Sequence, residues 1–400
     1  MVGKMRSALT AFVVLFVSLL IGLAFDHFGH GHMLAIATDR GGDFVKVVLA
    51  LPGPPVAHDP FGFDPLIRKY TASPDFAAFG GVNYLPPLSM FISCMARLSI
   101  ALVSPIIVYL ALWATMLIAI MLATLRYGGN VVWPLAVAVS YPLVFMVDRG
   151  NLYAGVAGLC IILAMVRRKP DLVAAILFAV ALNIRPNAAL CALPLALADW
   201  RFAVRTTAAA ASIFAASLAA THILDPAYGI AAFTDGLNRY FAVMVEQGHG
   251  VAFGSSAYGA LFAVGGAGFL RPVTVLLVAL IPAAMFLRWR RRLDDGQFAF
   301  ACCALTALIT PIFGDYHLLI FVAPLIMARD RVTFAGSLLM LVPKSIAMVG
   351  GYSVQVLLNP VIMLVTLVII LGRPLLPISP AVARKSPART TPTPVRSSPT

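Results

Sequence analysis

Residues 8–25, ALTAFVVLFVSLLIGLAF, form an unbroken apolar run that is long enough to cross a bilayer as a helix. A polar interval, 26–85, follows this run and holds six aspartates before the chain turns apolar again at the motif YLPP, 84–87. Such a loop either carries out aqueous chemistry beside the membrane or only connects two helices. Basic Lys4 and Arg6 precede the apolar run, as in a signal peptide, but no clear cleavage site follows it. We therefore interpret 8–25 as an uncleaved first span.

The composition excludes an ordinary soluble domain. Hydrophobic residues make up 61% of the 400 residues and charged residues only 11%, whereas soluble domains carry about 25% charged residues. Apolar runs of roughly spanning length recur along the whole chain, so we predict an all-α polytopic membrane protein with about 12 transmembrane helices. The predicted spans are 8–25, 104–125, 131–147, 151–166, 171–184, 187–199, 203–222, 272–288, 298–313, 316–328, 333–350 and 354–372.

Charged residues are divided unevenly between the two sets of loops. With a cytoplasmic N-terminus, the cytoplasmic loops and the C-terminal tail receive 19 of the 29 basic residues but only 5 of the 16 acidic residues. This asymmetry satisfies the positive-inside rule for membrane proteins. The net charge of +13 therefore indicates topology, with both termini cytoplasmic, and gives no reason to expect a nucleic-acid partner.

The predicted organisation is a single transmembrane domain, 1–373, with a first outer loop at 26–103 and a second at 223–271. Segment 86–103 is apolar enough to span, but counting it as a span would invert the later loops and place their basic clusters outside. We predict that this segment lies in the membrane interface or re-enters from the outer side. The tail 374–400 is rich in Pro, Ser, Thr and basic residues and is predicted to be disordered.

The cysteines give no sign of a metal site or a disulfide framework. All five lie inside apolar runs without metal-ligand spacing, so we interpret them as small core residues. No metal is predicted. These cysteines are Cys94, Cys160, Cys191, Cys302 and Cys303.

The polar residues of the outer loops and of the outer span ends converge on one face of the membrane in this topology, whereas the inner loops are short and basic. That arrangement is typical of a membrane enzyme with its site at the outer interface. The residues are Asp39, Arg40, Asp43, Asn83, Tyr84, Asp148, Arg149, Gly150, Asn151, Asn183, Arg185, Asn187, Asp235, Asn238, Arg239, Tyr240, Asp315, Tyr316 and His317.

Arg185 stands between two apolar segments that are each too short to cross a bilayer straight. A broken helical hairpin there places a guanidinium below the outer interface, where an ionised group is costly and usually functional. Arginine grips phosphate through two parallel hydrogen bonds, which suits a phosphate-bearing ligand. The alternative is a structural arginine that snorkels to the interface and pairs with a carbonyl or an acid.

The other candidates also have structural alternatives. Asp43, in TDRGGDFVKVV (38–48), is placed either as a general base at a low-dielectric interface or as a helix N-cap. The motif DRGN at 148–151 is a turn or a site. His317 is a proton shuttle, a sugar contact or a structural histidine, and Tyr84 contacts a ligand or only begins an interfacial helix.

Five motifs follow one another in an order and spacing that resemble glycosyltransferase family 87. This is a group of GT-C membrane glycosyltransferases that includes polyprenyl-phosphate-mannose-dependent mannosyltransferases of the mycobacterial envelope. The resemblance covers roughly residues 8–345. The motifs are GGDF (41–44), NYLPPL (83–88), DRGN (148–151), NIRPN (183–187) and GDYH (314–317).

The resemblance implies a GT-C-like fold with juxtamembrane helices in the first outer loop. It implies inverting transfer of a sugar, mannose or another hexose or pentose, from a polyprenyl-phosphate donor. The acceptor is an envelope glycolipid or polysaccharide on the outer face of a bacterial plasma membrane. No cofactor is expected, because the donor is already a lipid, and the expected partners are the two substrates and membrane lipids.

The resemblance also assigns roles by position. Asp43 matches the first-loop carboxylate that deprotonates the acceptor hydroxyl, and Arg185 stands where the family usually has lysine before proline, as a ligand of the donor phosphate. His317 matches a polar position near the outer end of a late span. The other expected donor-binding residues are Tyr84, Arg149, Asn151 and Arg239. The chain departs from the pattern at 45–47, Val-Lys-Val, where the family often has a tyrosine.

Two other functions compete with sugar transfer. A transporter or lipid-linked-sugar flippase uses polar residues along a path through the membrane and has short loops on both sides, which the long first loop disfavours. A non-catalytic subunit of an envelope assembly is the third alternative, and only an activity measurement separates it from an enzyme.

Overall fold

The computed structural model describes residues 2–28, 42–49, 68, 72, 83–103, 105–167, 170–248, 250, 254–265, 293–344, 348–349 and 352–372. The predicted span 272–288, the predicted tail 374–400 and most of the first outer loop lie outside these ranges.

The described part of the chain is almost entirely helical, as predicted. A two-residue antiparallel pair joins β1 (Met348–Val349) to β2 (Tyr352–Ser353). The helices are α1 (Val2–Phe28), α2 (Gly42–Phe44) continued by a π-helical turn (Val45–Leu49), α3 (Pro87–Leu102), α4 (Pro105–Gly128), α5 (Val132–Ala138), α6 (Tyr141–Arg149), α7 (Leu152–Val166), α8 (Leu172–Ile184), α9 (Ala188–Ala198), α10 (Trp200–Leu224), α11 (Ile230–Phe241) continued by a π-helical turn (Ala242–Glu246), α12 (Ala257–Gly265), α13 (Asp295–Ile309), a 3₁₀ turn (Asp315–Phe321) leading into α14 (Val322–Met327), α15 (Arg331–Leu341) and α16 (Val354–Gly372).

Four of these helices are long and apolar enough to cross a membrane, and α5 with α6 makes a fifth span if the pair, bent by 52°, is counted as one. The other apolar helices are shorter than a bilayer is thick. The membrane-helical class is thus confirmed, while the number of about 12 spans and the GT-C arrangement stay predictions. The four long segments are Met5–Ala24, Leu110–Gly128, Trp200–Leu224 and Val354–Gly372.

One predicted span is wrong in its extent. The apolar run 333–350 is helical only to Leu341, and Val342 is extended at φ −88° and ψ 148°. Pro343 explains the stop, because the residue before a proline is sterically pushed out of the helical region. Further along the same run, Met348–Val349 forms β1.

Aspartates close the helix ends on the side predicted to be cytoplasmic. Asp171, Asp199, Asp294 and Asp330 each accept backbone N–H groups at the start of α8, α10, α13 and α15. Asp294 forms a capping box with Gln297, whose side chain also donates to Asp330 at 3.3 Å. These carboxylates satisfy N–H groups that have no partner inside the helix, so the acids at this end are structural.

The opposite end of the bundle holds the turns between α6 and α7, between α8 and α9, and between α10 and α11. The start of α3 packs over these turns. Ser89 Oγ donates to the Ile184 carbonyl at 3.2 Å, Ser93 hydrogen-bonds the Tyr153 hydroxyl, and Thr221 Oγ1 donates to the Pro87 carbonyl at 3.2 Å. The first two turns of α3 therefore lie at this end, and the interfacial position of 86–103 stays a prediction.

Candidate active site

Asp43 is held at this end of the bundle by a short, firmly packed segment. Phe44, Val45 and Val48, on the two short helical elements that follow Gly42, are almost completely buried. They anchor the segment in the core while the Asp43 side chain stays 15% exposed. The predicted N-cap alternative does not describe Asp43, which lies inside the first turn of α2.

Three donors surround the Asp43 carboxylate. Asn151 Nδ2 donates to Oδ2 at 2.9 Å, Arg149 donates to Oδ1 at 3.4 Å, and Lys46 Nζ lies 3.8 Å from Oδ1. A carboxylate offers about four lone-pair sites. The carboxylate is thus oriented by its neighbours and retains acceptor capacity for a further hydroxyl.

The motif DRGN is both a turn and part of the site. Gly150 ends α6 at φ 71°, in the left-handed region that favours glycine. Asn151 then caps α7, because its Oδ1 accepts the Ala154 N–H at 3.0 Å. A backbone N–H can only donate, so the cap fixes Oδ1 towards α7 and leaves Nδ2 to donate to Asp43. The two sequence interpretations of 148–151 are therefore compatible.

Arg185 occupies the break between α8 and α9, as the two short apolar segments predict. The residue is extended, at φ −139° and ψ 100°, as expected before Pro186. Its Nη2 donates to Asn151 Oδ1 at 3.2 Å, so Asn151 links Arg185 to Asp43. Its Nε is buried and has no acceptor among the described residues, which leaves part of this cation available to a ligand.

Two stacked tyrosines form a wall of the site. The rings of Tyr84 and Tyr240 lie 4.4 Å apart and nearly parallel. Burial raises the pKa of Tyr84 well above its usual value, with Tyr240 adding to the effect and the charge of Arg185 opposing it. Burial likewise raises the pKa of Tyr240. Both phenols are therefore neutral hydrogen-bond donors near neutral pH, and each combines a flat apolar ring with a polar hydroxyl.

Gly236 brings the two tyrosines together, because α11 packs directly on the backbone at Tyr84. A Cβ added at Gly236 would lie 2.6 Å from the Asn83 carbonyl carbon and 2.7 Å from the Tyr84 nitrogen. Backbone atoms cannot move aside as a flexible side chain can. This contact explains why the structure brings Tyr240, in the second outer loop, to the first loop's Tyr84.

Gly236→Ala is expected to push α11 away from Tyr84, lower the melting temperature and weaken binding of the sugar substrate. Overpacking of this kind costs about 1–3 kcal/mol of unfolding free energy. Gly229→Ser is the matched control, since no atom lies within 4 Å of a Cβ there and serine is a favoured N-cap residue. Thermal unfolding and substrate KM of the two variants test this, and equal behaviour of both contradicts the packing argument.

Tyr316 and His317 approach the same cluster from the 3₁₀ turn. The Tyr316 phenol interacts electrostatically with the charges of Asp43, Arg185 and Arg149. The His317 ring interacts in the same way with the charge of Arg185. The His317 ring packs 4.5 Å from Tyr316. Both of its ring nitrogens are buried without a hydrogen-bond partner among the described residues. The structure thus places His317 beside the predicted site with its hydrogen-bonding groups unused.

A buried polar network supports this turn from behind. Asp315 is buried and accepts from Ser255 Oγ at 2.8 Å and from the Tyr141 hydroxyl at 3.1 Å. Lys344 Nζ donates to the carbonyls of Leu339 and Val342. Its positive charge also attracts the Asp315 carboxylate. Asp315 directly precedes Tyr316 and His317. Its hydrogen bonds to Ser255 and Tyr141 and the opposite charge of Lys344 therefore hold this turn in place.

Removing both charges of this pair is expected to destabilise the fold less than the sum of the two single removals. Asp315→Asn or Lys344→Met leaves an uncompensated buried charge, at a cost of about 3–5 kcal/mol of unfolding free energy. The double variant removes both charges and is expected to lose less than the sum of the two single losses. Thermal unfolding in detergent measures this, and strictly additive losses contradict the pairing.

Arg239, which was predicted to bind the donor, is not brought into the cluster by the described contacts. It is exposed on α11, and its Nε donates to the Asp235 carbonyl at 3.4 Å. Its neighbour Tyr240 occupies the site instead. Sequence reasoning also missed Lys344, which lies in a run that reads as a continuous span.

The sequence profile described as glycosyltransferase family 87 matches residues 83–311, more than half of the chain. The chain belongs to glycosyltransferase family 87. No curated protein and no solved structure matches it. The matched part of family 87 contains Tyr84, Arg149, Asn151 and Arg185, whereas Asp43 lies before it. The hydrogen bond from Asn151 to Asp43 joins that earlier segment to the matched part.

The charges of this family 87 site favour an anionic ligand. In the described part of the chain, Arg149 and Lys46 lie beside the carboxylate of Asp43, and Arg185 is joined to it through Asn151. Among the described residues, no group of three or more His, Cys, Asp or Glu side chains could hold a metal ion. The expectation that no metal is required stays a prediction.

Proposed function

We propose that this family 87 glycosyltransferase transfers a sugar from a polyprenyl-phosphate donor to an envelope glycolipid or polysaccharide acceptor. The proposed place is the outer face of a bacterial plasma membrane, and the proposed sugar is mannose or another hexose or pentose. The observation that carries the proposal is the linked set Asp43, Asn151 and Arg185. One hydrogen-bonding side chain there holds a carboxylate base and a phosphate-binding cation side by side.

Asp43 is the proposed general base. The acceptor hydroxyl attacks the anomeric carbon from the face opposite the phosphate and gives its proton to the carboxylate. The bond between the anomeric carbon and the phosphate oxygen breaks, and its electron pair leaves with the phosphate. Because attack and departure occur on opposite faces in one step, the configuration of the sugar inverts.

Arg185 is the proposed partner of the leaving phosphate. The donor is a phosphodiester with one negative charge, and the departing lipid phosphate gains a second one as the sugar leaves. A preorganised cation that meets charge developing in the transition state lowers the barrier. Arg149 and Lys46 add positive charge nearby and orient Asp43, and the tyrosine wall supports the sugar ring.

A lipid-linked donor is proposed because of where the site lies. It is formed at the ends of apolar helices, and the candidate span α10 ends close to it. A polyprenyl chain can lie in the membrane beside such helices. Its phosphate is then at the same depth as Arg185. His317, with both ring nitrogens unused among the described residues, is proposed to contact the donor.

The test uses the purified chain in lipid vesicles with a panel of labelled polyprenyl-phosphate hexoses and pentoses and envelope glycolipid acceptors. We expect transfer from a lipid-linked donor and none from the same sugar on a nucleotide. We also expect the anomeric configuration of the product, read by NMR, to be opposite to that of the donor. Transfer from a nucleotide sugar alone, or retention of configuration, overturns the proposal.

A further inference from the structure

Helix α11 carries three different faces rather than the two of an ordinary surface helix. At about 100° per residue, Gly236 and Tyr240 share one face, which packs on the protein at Tyr84. Ile230, Leu237 and Phe241 share a second face and are 61%, 41% and 45% exposed. The third face is exposed and polar, and it consists of Asp235, Asn238 and Arg239.

The apolar stripe, Ile230, Leu237 and Phe241, is left largely exposed by the described residues, although exposing it to water is costly. Each large apolar side chain left in water forgoes about 1.5–3 kcal/mol of burial free energy. The polar stripe beside it bears a carboxylate, an amide and a guanidinium, which need water or headgroups. Both requirements are met only where an apolar and an aqueous phase meet along the helix.

The apolar stripe also follows closely in the chain on a second exposed apolar surface. Helix α10 is a candidate span with only 11% of its apolar window buried inside the protein. Its last residues, Ile223 and Leu224, are exposed. The chain then turns through Tyr228, whose hydroxyl donates to the Leu85 carbonyl at 2.6 Å, and begins α11. Exposed apolar residues thus occur both at the end of a candidate span and on the helix that follows it.

We propose that α11 lies in the membrane–water boundary, with the stripe Ile230, Leu237 and Phe241 in the acyl region and Asp235, Asn238 and Arg239 in water. The occupant of the stripe is the lipid bilayer itself. Amphipathic helices bury an apolar face about 5–10 Å into the boundary between headgroups and acyl chains. Arg239 is then a headgroup- or water-facing residue, in agreement with its exposure on α11.

This position fixes the depth of the candidate site. Tyr240 leaves the protein-facing side of the same helix and stacks on Tyr84, so the tyrosine wall lies at the level of the lipid headgroups. A lipid-linked phosphate has its own headgroup at that level, which lets a donor reach Arg185 without leaving the bilayer. This last step rests on the proposed function, whereas the docking of α11 does not.

Spin-label accessibility tests the docking on the full chain in vesicles of phosphatidylglycerol and phosphatidylethanolamine. Leu237→Cys and Asn238→Cys are labelled in a Cys94→Ser background, since the other four cysteines are buried. We expect the label at 237 to collide several-fold more with oxygen, which concentrates in lipid, and the label at 238 to collide several-fold more with a water-soluble nickel chelate. The two positions are neighbours on one helix, so each controls for the fold of the other.

Nickel accessibility at both positions overturns the proposal, because the stripe is then in water. Protection of position 237 from both reagents also overturns it and identifies a protein, such as a second copy of the chain, as the occupant. The measurement needs no turnover. Loss of the proposed transfer activity with the expected accessibilities leaves this inference standing and removes only the assigned function.

Discussion

Asp43→Asn is expected to reduce sugar transfer by about 10²–10⁴-fold, the usual contribution of a positioned general base. The amide has the shape of the carboxylate, and its oxygen can still accept from Asn151, but it cannot take a proton from the acceptor. The folded structure and donor binding are expected to change little, because Arg149 and Asn151 remain anchored by their own helices. Initial rates at saturating donor and acceptor measure the effect.

Asp235→Asn is the matched control for this prediction. It makes the same chemical change on an exposed helix of the same end of the bundle, without touching the cluster around Asp43. We expect its rate to equal that of the wild type. Full activity of Asp43→Asn contradicts the assignment of the base. A lowered melting temperature that accounts for the lost activity reduces Asp43 to a structural residue.

The sequence predicted which residues share the site better than it predicted their contacts. The alternation of spans and the charge asymmetry placed Asp43, Asn151 and Arg185 on one side, and the structure brings them into one hydrogen-bonded chain. That Asn151 is the connecting residue could not be predicted, because it follows from a cap geometry that fixes the side-chain amide. Motif order does not contain that geometry.

Other residues show where sequence reasoning ends. Arg239 and Tyr240 are neighbours in the chain, and only the packing of Gly236 decides which of the two faces the site. Lys344 sits in an apolar run, and its interaction with Asp315 could not be predicted, because the two residues are distant in sequence and only the fold brings them together. The end of α15 follows from Pro343, which the length and hydropathy of the apolar run 333–350 do not reveal.

Arg185→Gln is expected to reduce transfer by about 10²–10³-fold, the loss typical for removing one preorganised group that stabilises transition-state charge. Glutamine keeps a hydrogen-bond donor for Asn151 but has no charge for the leaving phosphate. Arg185→Lys is expected to keep part of the activity, because it retains the charge and loses only the two parallel hydrogen bonds. Arg239→Gln, which removes the same charge from the exposed face of α11, is expected to leave the rate unchanged.

Product inhibition separates phosphate binding from support of the fold. Polyprenyl phosphate, the released product, carries the doubly charged phosphate that Arg185 is proposed to hold. Its inhibition constant is therefore expected to rise in Arg185→Gln, to rise less in Arg185→Lys and to stay the same in Arg239→Gln. Unchanged inhibition of Arg185→Gln alongside a lost rate would leave Arg185 as a positioning residue for Asn151 and Asp43. A loss in Arg239→Gln as large as that in Arg185→Gln would contradict the separation of the two arginines, because the described contacts join only Arg185 to the carboxylate chain.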